Sequence, residues 1–257
     1  MNETMQTIHA RRSVRAYEDK ALDRETVDAI VRAAMRSPTA GNMMLYSIIE
    51  VADQGIKDQL VKSCDNQPFI GKAPLVLLFL ADYQRWFDIY QNSGVAQYCR
   101  EQGMGYRTPG EGDLMLAACD ALIAAQTAVI AAEALGIGSC YIGDILENFE
   151  FHKELFGLPH YVLPITMLCF GYPTPKAAQR TLTPRFPQEV IHFRDRYQRV
   201  GRAELEDMLK NREPAKYAKN AANMGQHMYA RKFGADFSVE MTRSMKAALT
   251  SWTATPE

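Results

Sequence analysis

Three arginines and a serine fall within five residues near the start of the chain, at Arg11, Arg12, Ser13 and Arg15. Arginine carries a permanent charge and a planar fork of N–H donors, and serine adds a hydroxyl, so this set suits a phosphate group. Taken alone, such a stretch is more often a solvated basic turn. Its assignment therefore depends on other segments of the chain.

Two polar segments follow along the chain. Ser37, Thr39 and Asn42 belong to a loop of small residues in which backbone amides can approach a ligand and the asparagine can both donate and accept. Gln67 lies in Asn-Gln-Pro-Phe-Ile, where its amide can pair with the edge of a heterocycle. Each segment by itself also fits an ordinary surface loop.

A glycine-rich run, Gly-Ile-Gly-Ser-Cys-Tyr-Ile-Gly, contains Gly138 and Ser139. It follows a helix, whereas a dinucleotide-binding fingerprint opens one, so we interpret it as a close backbone approach to a flat ring. Arg180 and Arg185 are candidates to complete a phosphate clamp. Arg231-Lys232 is a candidate for nucleotide phosphates, with a solvated helix face as the alternative.

Composition excludes several other classes. The net charge of −1 gives no overall basic field, so neither a nucleic-acid partner nor a membrane surface is expected. The cysteines number five, which is odd, and form no CxxC pair, so no full disulfide framework is expected and the reducing cytoplasm is favoured. No pair of histidines or cysteines has the spacing of metal ligands, so no metal site is predicted. The N-terminus does not resemble a signal peptide. No nucleophile–base motif is present, so no side chain is predicted to be catalytic.

The predicted elements alternate between helices and strands, which indicates an α/β or α+β fold. Helices are predicted at 23–36, 57–62 and 113–135, and strands at 46–51, 74–80, 140–142 and 162–170. The long helix contains Asp120, Gln126 and Glu133, which are costly in a membrane, so a core or subunit-interface helix is expected. Residues 1–200 are predicted to form the main domain and residues 201–257 a helical extension.

Five motifs in register resemble the opening and later signatures of the nitroreductase superfamily over roughly residues 5–187. They are Arg-Arg-Ser-Val-Arg, Ser-Pro-Thr-Ala-Gly-Asn, Asn-Gln-Pro-Phe-Ile, the glycine-rich run and a Phe-Gly-Tyr-Pro turn at 170–173. The nearer likeness is to its oxygen-insensitive, NADPH-preferring branch, because of Gln67-Pro68-Phe69 and the long tail. The resemblance implies an α+β, nitroreductase-like fold in which helices flank a mostly antiparallel central sheet. It also implies an intertwined homodimer with FMN at the interface.

The resemblance further implies a set of cofactor-binding positions: Arg11, Arg12, Ser13, Arg15, Ser37, Thr39, Asn42, Gln67, Gly138, Ser139, Arg180 and Arg185. Arg11, Ser13 and Arg15 match positions for the phosphate, ribityl and pyrimidine parts of FMN. Ser37, Thr39 and Asn42 match a loop that reaches FMN from the other subunit. Gln67 matches a polar flavin contact, and Gly138-Ser139 match backbone near flavin N5. Arg185 matches a phosphate-site arginine that Arg180 supplements, because Thr183 replaces the usual lysine.

The implied activity passes two electrons from NADPH or NADH, through FMN, to a nitroaromatic, quinone or flavin acceptor in two half-reactions. Met43-Met44 replaces more polar residues of the family pattern. This change and the long tail keep two alternatives open. One is other flavin chemistry on the same fold, such as flavin fragmentation or reductive dehalogenation. The other is flavin binding without turnover.

Overall fold

Four strands form the centre of the structure, a computed structural model that describes residues 1–209, 212, 214 and 216–255. They are β1 (Tyr46–Glu50), β2 (Leu75–Asp82), β3 (Gly138–Ile142) and β4 (Val162–Gly171). They lie in the order β1-β2-β4-β3, and every neighbouring pair is antiparallel. The predicted α+β class and antiparallel sheet are therefore confirmed, and each predicted strand is found within two residues of its expected ends.

Helices surround this sheet. Those of the described chain are α1 (Glu3–Ala10), α2 (Arg24–Ala34), α3 (Gln54–Ser63), α4 (Phe69–Lys72), α5 (Gln84–Asn92), α6 (Val95–Glu101), α7 (Glu111–Ala134), α8 (Phe149–Leu155), α9 (Pro175–Ala178), α10 (Arg202–Asp207), α11 (Met224–Met228) and α12 (Asp236–Thr253). The expected start of α2 is confirmed, because the Asp23 carboxylate accepts the Thr26 N–H at 2.7 Å.

Strand β2 is buried on both faces, as its uninterrupted apolar run predicts. Leu75, Leu77 and Phe79 pack into the core shared with α2 and α7. Val76 and Leu78 point the other way, into the core beneath α3 and α4. Because successive side chains of a strand alternate between faces, one strand supplies both cores and is apolar from Leu75 to Ala81.

Helix α7 lies against the sheet along a face of small residues. Its buried alanines are Ala117, Ala121, Ala124, Ala125, Ala128 and Ala132. This packing confirms the predicted core helix, although α7 is also the one helix in the described chain whose length and composition would suit a membrane span. It ends before Gly136, whose φ of 75° lies in the left-handed region that favours glycine.

The chain divides into two compact units, Met1–Arg180 with Glu240–Glu257, and Thr181–Val239. The C-terminal helix belongs largely to the first unit, where Trp252 is buried and its indole N–H donates to the Gly110 carbonyl at 3.1 Å. Short helices occupy the second unit. The predicted division into a cofactor-binding domain at residues 1–200 and a helical extension at residues 201–257 stays a prediction.

Candidate functional site

The N-terminal arginine stretch lies beside the glycine-rich run. After α1 ends at Ala10, Ser13 forms a parallel bridge with Ser139, and the Val14 N–H donates to the Ser139 carbonyl at 2.8 Å. Further along, Tyr17 pairs with Pro173 after β4. Two segments far apart in the chain are thus joined at the outer edge of β3.

Gly138 permits this approach. A Cβ atom at this position would lie 2.5 Å from Val14 Cγ2 and 2.8 Å from Val14 Cβ. Real Cβ contacts are not that short, so any larger residue would push the arginine stretch away from the strand. Gly138, which is predicted to lie beside a ring ligand, thus also has a packing role within the chain.

The three arginines have different surroundings. Arg12 donates to the carbonyls of Ala10, Ala178 and Arg180, so its guanidinium holds two parts of the backbone together. Arg11 is half-buried, and its Nη1 has no hydrogen-bond partner. Arg15 is exposed, with its guanidinium carbon 5.9 Å from the centre of the Phe69 ring. The cofactor role predicted for Arg12 stays a prediction, and in this structure its donors bind backbone carbonyls.

Ser139 adds a second unpaired polar atom. The residue is fully buried, and its hydroxyl has no hydrogen-bond partner, while its backbone joins the Ser13 segment. Buried polar groups in folded proteins are almost always paired. An unpaired Nη1 of Arg11 and an unpaired Oγ of Ser139, carried by the two joined segments, fit a ligand that brings hydrogen-bond acceptors, such as a phosphorylated flavin.

Glu133 modifies the electrostatics of this site. Its carboxyl on α7 is partly buried with one unpaired oxygen, and burial raises its pKa to about 7, although Arg11 and Arg12 act to lower it. A carboxyl that keeps its proton does not cancel the positive charge of Arg11. In the sequence, Glu133 is only a polar residue within an apolar helix, and its influence on Arg11 and Arg12 is not predicted.

Gln67 is held by two acceptors. Its amide nitrogen donates to the Cys64 carbonyl at 3.0 Å and to the Asp144 carboxylate at 2.6 Å. Asp144 directly follows β3 and Gly143, so Gln67 is joined to the end of the glycine-rich run. With Phe69 beside Arg15, the arginine stretch, the Gln67 segment and β3 therefore converge on one region.

The loop with Ser37, Thr39 and Asn42 packs elsewhere, over α7. The Ser37 hydroxyl donates to Thr127 Oγ1 at 2.7 Å, and Thr39 Oγ1 accepts the Met44 N–H at 3.3 Å. Asn42 is exposed with a φ of 57°. Among the described residues, no hydrogen bond joins this loop to the arginine stretch.

Asp120 holds that loop in place. Its carboxylate is buried and accepts the N–H groups of Ala40 and Leu45, at 3.0 and 3.1 Å. From the sequence, Asp120 is only evidence against a membrane helix. A carboxylate inside an apolar helix needs hydrogen-bond donors, and this need is the one feature of the sequence that indicates a bond to backbone N–H groups.

The remaining predicted residues lie toward the end of the chain. The Arg180 side chain is exposed, while its carbonyl accepts from Arg12 at 2.7 Å. Arg185, in the second unit, donates to its neighbour Thr183 at 3.0 Å. Arg231 and Lys232 lie in a π-helical turn of the second unit, with the Lys232 ammonium 5.1 Å from the centre of the Phe237 ring.

Comparison with known proteins gives a consistent result. The family model described as the nitroreductase family matches residues 8–172. An FMN reductase [NAD(P)H] from Bacillus subtilis is 33% identical over 77% of this chain and 75% of its own length. An oxygen-insensitive NADPH nitroreductase from Salmonella typhimurium is 31% identical over 77% of this chain and 76% of its own. The crystal structure of nitroreductase A from Vibrio parahaemolyticus has a TM-score of 0.72 and 28% identity over 80% of this chain and 82% of its own.

The close approach at Gly138 can be tested by adding one methyl group. We expect Gly138→Ala to lower the free energy of unfolding by about 1–3 kcal/mol, because the new Cβ overlaps Val14. Gly143→Ala is the matched control, since a Cβ there meets nothing within 4 Å. Urea denaturation of both variants measures the effect, and equal stabilities would contradict the proposed packing role.

The raised pKa of Glu133 predicts a pH effect on stability. Its carboxyl titrates near 4.5 in the unfolded chain and near 7 in the folded one, so folding becomes less favourable as the pH rises between these values. Glu133→Gln should remove this part of the decline, measured as the free energy of unfolding at pH 5 and pH 7.5. Glu189→Gln, at an exposed position, should follow the wild type. If the free energy of unfolding of Glu133→Gln declined with pH as much as that of the wild type, Glu133 would not be responsible.

Proposed function

This chain belongs to the nitroreductase family, and we propose that it is an FMN-dependent oxidoreductase that passes two electrons from NAD(P)H to a nitroaromatic, quinone or flavin acceptor. Relatives carry the names FMN reductase [NAD(P)H], FMN reductase (NADPH) and oxygen-insensitive NADPH nitroreductase. These names support both the cofactor and the electron donor.

The observation that carries the proposal is the pair of unpaired atoms on the joined segments. Arg11 Nη1 and Ser139 Oγ are buried without hydrogen-bond partners, and both belong to stretches that the Ser13–Ser139 bridge brings together. A solvated basic turn would leave neither atom in this state, because water would reach it. A ligand with phosphate and polar ring atoms would supply partners for both.

We assign the residues to parts of FMN as follows. Arg11 would bind the phosphate, Ser13 the ribityl chain, and Ser139 and Gln67 the polar atoms of the ring. Arg15 would place positive charge beside the ring, where it stabilises the negative charge that reduction adds. FMN, when bound, supplies the two-electron chemistry, so the chain needs only to bind, orient and shield it.

We further propose that a second copy of the chain completes the site. Helix α7 buries its alanine face and exposes an apolar stripe on the opposite side, at Met115, Leu116, Leu122 and Ile123. Apolar side chains at this helical spacing form one patch, which a partner would cover. A partner would also bring its own loop with Ser37, Thr39 and Asn42, the family's second contact to FMN.

We propose that the reaction takes place in the cytoplasm. All five cysteines are free, and Cys64, Cys140 and Cys169 are buried. Free cysteines are typical of reducing compartments, where reduced nicotinamides are also available. In the second unit, Arg231 and Lys232 are candidates for the nucleotide phosphates, and NADPH preference over NADH would support them.

The activity can be tested directly on the purified protein. It should be yellow from bound FMN, and NADPH added without oxygen should bleach the flavin absorbance. A quinone or nitroaromatic should then restore it. Bound FMN that NADPH fails to reduce would favour a binding protein without turnover. Net consumption of FMN during aerobic turnover would favour flavin fragmentation.

Arg15 provides a test of the charge beside the ring. We expect Arg15→Ala to lower the midpoint potential of bound FMN and to weaken its binding, by about tenfold for a lost charged hydrogen bond of roughly 1.5 kcal/mol. Arg15→Lys keeps the charge, so its midpoint potential should stay close to that of the wild type. Arg32→Ala, an exposed arginine on α2, is the control. A potential unchanged in Arg15→Ala would remove this role.

The apolar stripe of α7 provides a test of the dimer. Met115 is exposed in the single chain, so Met115→Glu should leave the monomer fold intact while placing charge in the proposed interface. We expect light scattering to show a dimer for the wild type and a monomer for the variant, with weaker FMN binding. Ile89→Glu, on the exposed face of α5, is the control. A wild-type monomer that binds FMN tightly would contradict the proposal.

A further inference from the structure

The two bonds of Gln67 determine which of its atoms can meet a ligand. Its amide nitrogen carries two hydrogens, and the Cys64 carbonyl and the Asp144 carboxylate accept one each. Both partners are acceptors only, so the amide cannot be turned around. The amide oxygen is therefore the atom left to face a ligand, and that ligand must present an N–H or O–H donor.

Asp144 is itself in contact with a second carboxyl group. The Glu147 side chain lies within hydrogen-bonding reach of Asp144, and the residue is buried with one carboxyl oxygen unpaired. Glu147 is buried and Asp144 is half-buried, and two carboxyls within hydrogen-bonding reach hold one proton between them, because both do not readily ionise side by side. Glu147 then donates to Asp144, and Asp144 accepts from Gln67.

We propose that Asp144 and Glu147 are positioning residues, a proton-sharing carboxyl pair that fixes Gln67 so that only its amide oxygen faces the flavin. This rests on the proposed FMN site. The pyrimidine edge of a flavin presents one donor, N3–H, between two carbonyls, and Gln67 is thereby matched to N3–H. The pair selects for a ring with a donor at this edge.

The surroundings of Glu147 support a shared proton. Burial is the main cause that raises the pKa of Glu147 to about 7, followed by Asp144 and Asp65. Glu240 of α12 also faces it but is paired with Arg243. His152 of α8 has a pKa lowered by burial, and both its ring nitrogens are bonded, to Ser63 and to the Ile145 carbonyl. Among the residues that the structure describes, no cation therefore acts to lower the pKa of Glu147.

A flavin that lacks the N3 hydrogen separates this inference from general binding. We would measure the dissociation constants of FMN and of 3-methyl-FMN by flavin fluorescence quenching at pH 6. The wild type should prefer FMN by about tenfold, as expected when a hydrogen bond to a buried acceptor is lost. Comparing the two flavins cancels effects of the phosphate, including those of Glu133 near Arg11.

Three variants test the role of the pair. Asp144→Ala removes the acceptor, so Gln67 can turn and the preference for FMN should fall to about twofold or less. Asp144→Asn keeps an acceptor oxygen and should restore most of the preference. Asp65→Asn removes the same charge next to the pair without a bond to Gln67, so it should match the wild type.

The pH dependence tests the shared proton. In the wild type the preference for FMN should weaken between pH 6 and pH 8, because two ionised carboxylates repel each other and Asp144 is displaced from Gln67. Glu147→Gln donates to Asp144 at every pH, so its preference should stay constant. If Asp144→Ala fails to fold, this comparison still tests the positioning role of the pair.

The outcomes are distinct. If the wild type binds neither flavin, the proposed function fails. If it binds FMN and the preference is unchanged in Asp144→Ala, or declines with pH in Glu147→Gln as in the wild type, the positioning role is overturned while the FMN site stands. Loss of the preference for FMN in Asp144→Ala, with its recovery in Asp144→Asn, supports the positioning role.

Discussion

The parallel bridge between Ser13 and Ser139 is the contact on which the site depends. It holds an extended N-terminal segment against the edge of β3, with Val14 packed where any Cβ at Gly138 would lie. Without this approach, Arg11 and Arg15 would project from a free turn into water. With it, they acquire fixed positions next to a sheet whose own register is set by two buried cores.

Local patterns were sufficient to predict the frame of this protein. The unbroken apolar run from Leu75 predicts a strand buried on both faces, because it carries no polar face, and Asp23 marks the start of α2 through a bond three residues away. Such features depend on neighbours in the sequence. The five motifs in register predicted which segments belong together, although none of them is specific alone.

The side-chain partners could not be predicted in the same way. By residue type Arg12 is one more phosphate ligand, yet the carbonyls that it binds, at Ala178 and Arg180, lie 166 and 168 residues later in the chain. Asp120 bonds to a loop that sequence places far from α7, and Asp144 bonds to Gln67. The partner of each of these groups is chosen by the folded topology, and residue type gives only its capacity to bond.

The Ser13–Ser139 bridge also has a consequence for the order in which the protein is made. A chain leaves the ribosome from its N-terminus, so the arginine stretch emerges long before β3, which it joins, and before the Ala178–Arg180 carbonyls that Arg12 grips. During translation these arginines have nothing native to bind. The earliest functional motif to be synthesised is thus among the latest to be placed, and any cofactor must wait for most of the first unit to emerge.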